Sequence, residues 1–209
     1  MRLPDPARSR AVLLGTSRFA DPELPDLPAV RNNLTDLAQV LTNTQATALP
    51  RGHCVVVADE SDRGIIGDAL NSAAAQAGDM LLVYYAGHGL IGRGGTLYLS
   101  LPNTRSDRDM VGWTAFPFEM LRDTLADAGA TNRVLILDCC FSGLAIDLMS
   151  DVTSTVAGQL EVAGTCTLAS SPANRPSHAP RAPDTPPTPP TPARCSSCCS
   201  AALVTMPSS

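Results

Sequence analysis

Between Ala11 and Ser171, short continuous apolar runs alternate with amphipathic stretches, and that alternation narrows the fold more than any other feature of the chain. AVLLG from Ala11 is followed by PAVRNNLTDLAQVLT from Pro28, in which Val30, Leu34, Leu37, Val40 and Leu41 fall on one helical face. HCVVVAD from His53 reads as a second strand. ESDRGIIGDALNSAAAQAG from Glu60 reads as a second helix, capped by Ser61 or Asp62 and stopped at Gly78. DMLLVYYAG is a third strand, TLYLSL from Thr96 a short excursion, and TAFPFEMLRDTLADAGA from Thr114 a helix with an early Pro117. RVLILD makes a fourth core strand and GTCTLASS from Gly164 a fifth. Strands without polar alternation are buried on both faces, which is what a parallel sheet covered by helices on each side requires. The expected class is α/β: three layers, α/β/α, about a mostly parallel central sheet. In such open sheets ligands collect outside the carboxyl ends of the strands.

With 209 residues, of which 44% are hydrophobic, the chain can close one compact core. Fifteen basic against 20 acidic residues give a net charge of -5, and no Lys/Arg cluster is present to neutralise phosphates, so nucleic acid is not an expected partner. No apolar run approaches the ~20 residues that cross a bilayer. The opening MRLPDPARSR lacks the apolar core of a secretory signal, so no membrane partner and a cytoplasmic location are expected. Seven cysteines, odd in number and irregularly placed, read as thiols in a reducing compartment rather than as a disulfide framework.

Three segments follow: a lead over residues 1–9, a folded domain over 10–171 and a tail over 172–209. The tail holds 10 of the 18 prolines and three of the seven cysteines, with no glycine and no periodic apolar face, so it reads as disordered. PDTPPTPPTPA within it should be an extended, polyproline-like tether.

The chemistry sits at two strand ends. The third strand runs into YYAGHGL, with His88 between two glycines just past the last apolar residue, and the fourth runs into LDCCFSG. If these strands are neighbours, their axes lie about 4.8 Å apart and an imidazole stands beside a thiol. A free thiol has a pKa of roughly 8.5, so a nearby imidazole that accepts its proton makes a nucleophile and its base. The backbone N–H of Gly89, freed of neighbouring side-chain bulk, together with that of the cysteine, would hold a developing oxyanion. The reaction class is acyl transfer to a thiol.

The pairing of strand-YAGHG with strand-DCCFSG, in the order His then Cys and about 50 residues apart, resembles the caspase-like cysteine peptidases, in particular the bacterial caspase-like and metacaspase branch. The resemblance runs over roughly residues 10 to 171 in the order of elements. The branch's motif D-x-C-x-S-G, matched by D-C-C-F-S-G, implies Cys140 as nucleophile and leaves Cys139 at the variable position as a neighbouring thiol. It also carries over Asp138, Ser142 and Gly143, while Phe141 departs from the histidine often found there. Strand alternation places Asp138 and Cys140 on one side. By the same resemblance Asp138 lines the pocket for the residue before the scissile bond, where a carboxylate favours Arg or Lys. The implied partners are protein or peptide substrates. No cofactor is assigned: part of the branch depends on calcium, and Asp147 and Asp151 follow the motif, but two carboxylates do not make a calcium site. The family also calls for a further helix and strand after the fifth strand, so these C-terminal elements are expected to be missing. A shifted reading frame would explain that, because one choice of GC-rich synonymous codons for ARCSSCCSA reads as ALLELLLG from the third base; the alternative is a genuinely disordered tail.

Other readings of the same residues are weaker. GHGLIG at 87–92 satisfies G-x-G-x-x-G, yet RGGTLYLSL follows it where a dinucleotide site needs a helix to open. A cysteine-phosphatase loop needs an Arg six residues after Cys140, and Ile146 is there. CSSCC lacks the second pair that a zinc site wants, and His178 is isolated. The alternative for Asp138 is a turn aspartate satisfying backbone N–H groups. The functional alternative to a peptidase is a catalytically silent caspase-like module acting in assembly or signalling.

Overall fold

The structure, a computed structural model, describes residues 3–43, 48–141, 159, 162, 164–170 and 202–205. In chain order its elements are β1 (Arg10–Gly15), α1 (Ala29–Thr42), β2 (Cys54–Ala58), α2 (Arg63–Gln76), β3 (Met80–Ile91), β4 (Leu97–Leu99), α3 (Val111–Thr114), β5 (Phe116–Pro117), α4 (Phe118–Asp127), β6 (Asn132–Phe141), β7 (Thr165–Ser170) and β8 (Ala202–Thr205). The sheet runs β2-β1-β3-β6-β7-β8, with β4 and β5 leading off β3. The pairs β1–β2, β1–β3, β3–β6 and β6–β7 are parallel, and β7–β8, β3–β4 and β4–β5 antiparallel.

Alternation along the strands divides the core into two layers. Ala11, Leu13, Leu82, Tyr84 and Ala86 pack with Val30, Leu34 and Leu41 of α1 on one face. Val12, Leu14, Leu81, Val83, Tyr85, Leu135, Leu137 and Cys139 meet Ile66 and Leu70 of α2 and Leu121 and Leu125 of α4 on the other. The fold is therefore α/β/α in three layers, as the sequence pattern predicts. Each fully buried leucine contributes about 1.5–3 kcal/mol relative to leaving it in water, so the strands' unbroken apolar runs are what hold both helical layers to the sheet. Gly15 sets how closely α1 lies on β1, because a Cβ there would stand 2.7 Å from the Val30 side chain and 2.8 Å from that of Leu34.

Several expectations are corrected at the boundaries. In α1, Val40 points away from the sheet at 55% exposure, although its spacing suggested the buried face. The β2 strand is an edge, so Val55 and Val56 are exposed where a core strand was expected. The α2 helix starts as expected, with Asp62 accepting from Gly64 N at 2.7 Å, but ends at Gln76, and the Gly78 and Asp79 N–H groups turn instead to the Arg8 carbonyl. The helix read from Thr114 starts only at Phe118 as α4, because Thr114 is the last residue of the short α3 and β5 stands between the two. Pro117 carries no N–H and disfavours helical geometry at Phe116, so it stands as the cap in front of α4.

The third and fourth strands also run further than their apolar stretches, to Ile91 and Phe141. His88 thus lies within β3 rather than beyond its end, because β4 folds back and gives Gly89, Leu90 and Ile91 the partners Leu99, Tyr98 and Leu97. Within the tail, Ala202–Thr205 forms β8 on the outer edge of β7, against the expectation of no folded element there. The proline-rich segment, CSSCC and His178 lie outside the described residues. Among the described residues no helix is long and apolar enough to cross a membrane.

Candidate active site

Because β3 and β6 are parallel neighbours, their register decides which residues meet. Ala86 partners Asp138, Gly87 partners Cys139, His88 partners Cys140 and Gly89 partners Phe141. The histidine and the cysteine that the motifs selected are opposite one another, on strands about 4.8 Å apart. Cys139 is a buried thiol, 2% exposed, packed on the α2/α4 face with Tyr85. Gly89 is the partner of both Leu99 and Phe141. Ser142, Gly143, Asp147 and Asp151 lie outside the described residues.

The His88 ring is held from two sides. Its Nε2 lies 2.8 Å from the carbonyl oxygen of Pro25, and its face meets the Phe19 ring at 4.8 Å between centroids, tilted by 47°. A carbonyl can only accept, so Nε2 carries the proton and, in the neutral ring, Nδ1 is left as the basic nitrogen. The main chain of His88 is gripped as firmly. Its N–H donates to Ser100 Oγ at 3.1 Å, and its carbonyl accepts from Ser100 Oγ at 2.8 Å and from Ser100 N at 3.0 Å. The Tyr85 hydroxyl lies 3.0 Å from the carbonyl oxygens of both His88 and Ser100. Burial, and then the nearby Cys139, push that phenol far above its ordinary range, so it stays a donor. Gly87 makes room for it, since a Cβ there would collide with the Tyr85 hydroxyl. This is the use the structure gives to one of the glycines beside His88. GHGLIG accordingly lies in a strand that turns into a hairpin, with no helix opening after it.

The loop over residues 16–28 carries Phe19 and Pro25 and is tied down along its length. Ser17 donates through N (2.6 Å) and Oγ (2.8 Å) to Asp59, which also receives Arg31 Nε at 2.9 Å. Burial raises the Asp59 carboxyl, but the Ser17 donors and the Arg31 guanidinium outweigh it and hold the group below the usual carboxylate range. Further along, Asp21 accepts from Ser106 N and Oγ, Leu24 is buried with Leu90 and Val111, and Leu27 N returns to Ser17 O at 2.8 Å.

Asp138 is exposed and lies in strand β6 rather than in a turn. Its Oδ2 accepts from the Tyr84 hydroxyl at 3.0 Å, and the Asn33 amide nitrogen stands 3.5 Å from the same oxygen. Among the described residues no group of three or more His, Cys, Asp or Glu side chains gathers as a metal site.

Sequence reasoning singled out His88, Cys140 and Asp138, which the structure brings onto adjacent strands, and missed Pro25, Phe19, Ser100, Tyr84 and Asn33, which contact them or their neighbours. A main-chain acceptor such as Pro25 O leaves no signature in a sequence. Tyr84 was findable, since it shares the parity of His88 along β3.

Comparison with known proteins shows the family of the chain. Residues 8–205 match the Caspase domain model of the peptidase C14 family, and the chain belongs to that family. Its members are cysteine peptidases. Among solved structures the chain is similar to pro-Sf-caspase-1, at 16% identity and a TM-score of 0.49, over 78% of this chain and 60% of that one. It is also similar to the Drosophila initiator caspase Dronc, at 10% identity and a TM-score of 0.48, over 81% of this chain and 57% of that one. The chain thus spans less than two thirds of the length of either. No curated protein matches.

Proposed function

We propose that this chain is a cysteine-type endopeptidase in which Cys140 attacks the scissile carbonyl and His88 takes the thiol proton on Nδ1. The observation that carries the reading is the His88–Cys140 register on adjacent parallel strands, with the other ring nitrogen already committed to Pro25 O. As sulfur bonds to the carbonyl carbon, the oxygen becomes an anion facing the N–H groups of Gly89 and Cys140. Collapse of that adduct breaks the C–N bond, and His88 returns its proton to the departing amine. Water, deprotonated by the same imidazole, then hydrolyses the thioester and restores the thiol. Asp138 selects Arg or Lys before the cleaved bond, for which an exposed carboxylate at the strand end is a suitable partner. The substrates are proteins or peptides, and a thiol nucleophile of this kind suits the reducing cytoplasm.

The test is hydrolysis of an Arg-containing fluorogenic peptide by the wild type beside Cys140→Ala. Turnover abolished by the substitution supports the reading, and equal rates remove it. A silent interaction module is the competing reading, drawn from the Pro/Cys-rich composition that replaces the loops expected after β7. Selective alkylation of Cys140 by an active-site-directed reagent separates the two, since an activated thiolate reacts and an inert structural thiol does not.

A further inference from the structure

Asp138 is exposed, yet its carboxylate is met by two donors from different elements: Tyr84 of β3 at 3.0 Å and Asn33 of α1 at 3.5 Å, both on Oδ2. Tyr84 is only 7% exposed, and its ring belongs to the core on the α1 face. A phenylalanine would fill that core volume equally well, so packing does not account for the hydroxyl. Burial first, and then the negative charge of Asp138, push the Tyr84 phenol far above its ordinary range, which keeps it a donor under any condition in which a peptidase works. On β3, Ala86, the register partner of Asp138, falls between Tyr84 and His88.

The geometry points to Tyr84, assisted by Asn33, as a positioning residue that fixes the plane of the Asp138 carboxylate and thereby makes the site discriminate arginine from lysine. This rests on the reading of Asp138 as the selector of basic residues. A guanidinium is a planar fork that needs its carboxylate partner coplanar, whereas an ammonium is a compact point charge that tolerates rotation of the partner. A carboxylate offers about four lone-pair sites, so two donors on one oxygen do not by themselves saturate it. Loss of the hydroxyl would remove the closer of the two donors on Oδ2 and loosen the orientation of the carboxylate, at a cost to arginine and little to lysine.

The experiment is peptide binding in the full chain carrying Cys140→Ala, which removes any dependence on turnover. Two fluorescently labelled peptides, identical except for Arg or Lys before the scissile bond, are titrated by anisotropy. Tyr84→Phe should weaken the Arg peptide about 5- to 20-fold and the Lys peptide less than about 2-fold, the scale of one charge-assisted hydrogen bond. Asn33→Ala, at an exposed helix position, should shift the same ratio less, and serves should Tyr84→Phe fold poorly. Unchanged binding in both variants, or equal weakening of both peptides, overturns the inference. Asp138→Ala separates the levels. If it leaves the preference for basic residues intact, or if the parent binds neither peptide, the reading of Asp138 fails and this one falls with it. If Asp138→Ala erases the preference while Tyr84→Phe and Asn33→Ala preserve the Arg/Lys ratio, only the positioning role is lost.

Discussion

The carbonyl of Pro25 determines which nitrogen of His88 is left to accept a proton, and the proposed pairing with Cys140 would use that nitrogen as its base. His88→Ala should therefore lower kcat/KM by about 10²- to 10⁴-fold, the range of a positioned general base, and should slow alkylation of Cys140 in the same assay. Ser100 supports the histidine from its main chain. It is fully buried, and its hydroxyl both accepts from His88 N and donates to His88 O. Ser100→Ala takes the hydroxyl partner from the half-buried His88 N–H, which should cost about 1–3 kcal/mol in urea unfolding, and kcat should fall more than KM rises because His88 rather than the groove is displaced. At this scale the sequence pointed to residues whose side chain types stand in a recognisable order, His88, Cys140 and Asp138, which the structure places on two adjacent strands. It hid those that act through a carbonyl or through a partner distant in the chain, such as Pro25 and Asn33.

Between elements, Asp59 clamps Ser17 and Arg31 and so joins the chain after β2 to the loop after β1 and to the first turn of α1. Its carboxyl is held below its unfolded value of about 3.9. The stability it contributes is therefore complete above that value and is lost as pH falls through the lower, folded one. Asp21 adds in the same direction through its Ser106 and Glu23 donors. Asp59→Asn should cost about 1–3 kcal/mol at pH 7, and the gap to the wild type should close as urea unfolding is repeated towards pH 3. A gap independent of pH would mean that packing, not charge, holds the loop. The elements themselves were legible where apolar period and turn chemistry agreed, as in β1, β7 and the Asp62 cap of α2. They were illegible where pairing decided. Nothing in GLI marks it as strand until β4 supplies partners for Gly89, Leu90 and Ile91. The Phe-Pro step at 116–117, by contrast, carried a break signal that the helical period on either side of it outweighed.

For the molecule as a whole, the sheet's far edge is completed by four residues drawn from the tail. Ala202 to Thr205 pair with Ser170 to Thr167, so the inner strand β7 keeps a ladder on both sides. Ten prolines concealed that element in the sequence, because the short apolar run ALV sits among residues whose composition speaks against any fold. Its consequence is physical. Without β8, the N–H and C=O groups along one side of β7 would lack partners, and such a row templates pairing with another chain. A chain ending at residue 200 should accordingly unfold at lower urea and associate with rising concentration, whereas the full chain should not. Val204→Pro, which cannot donate to a ladder and stands opposite Leu168, should move both readouts the same way if its N–H faces β7. Sedimentation of the three proteins across a tenfold range of concentration decides it. Identical behaviour would show that β7 does without its neighbour, and that the tail contributes nothing to the sheet that carries His88 and Cys140.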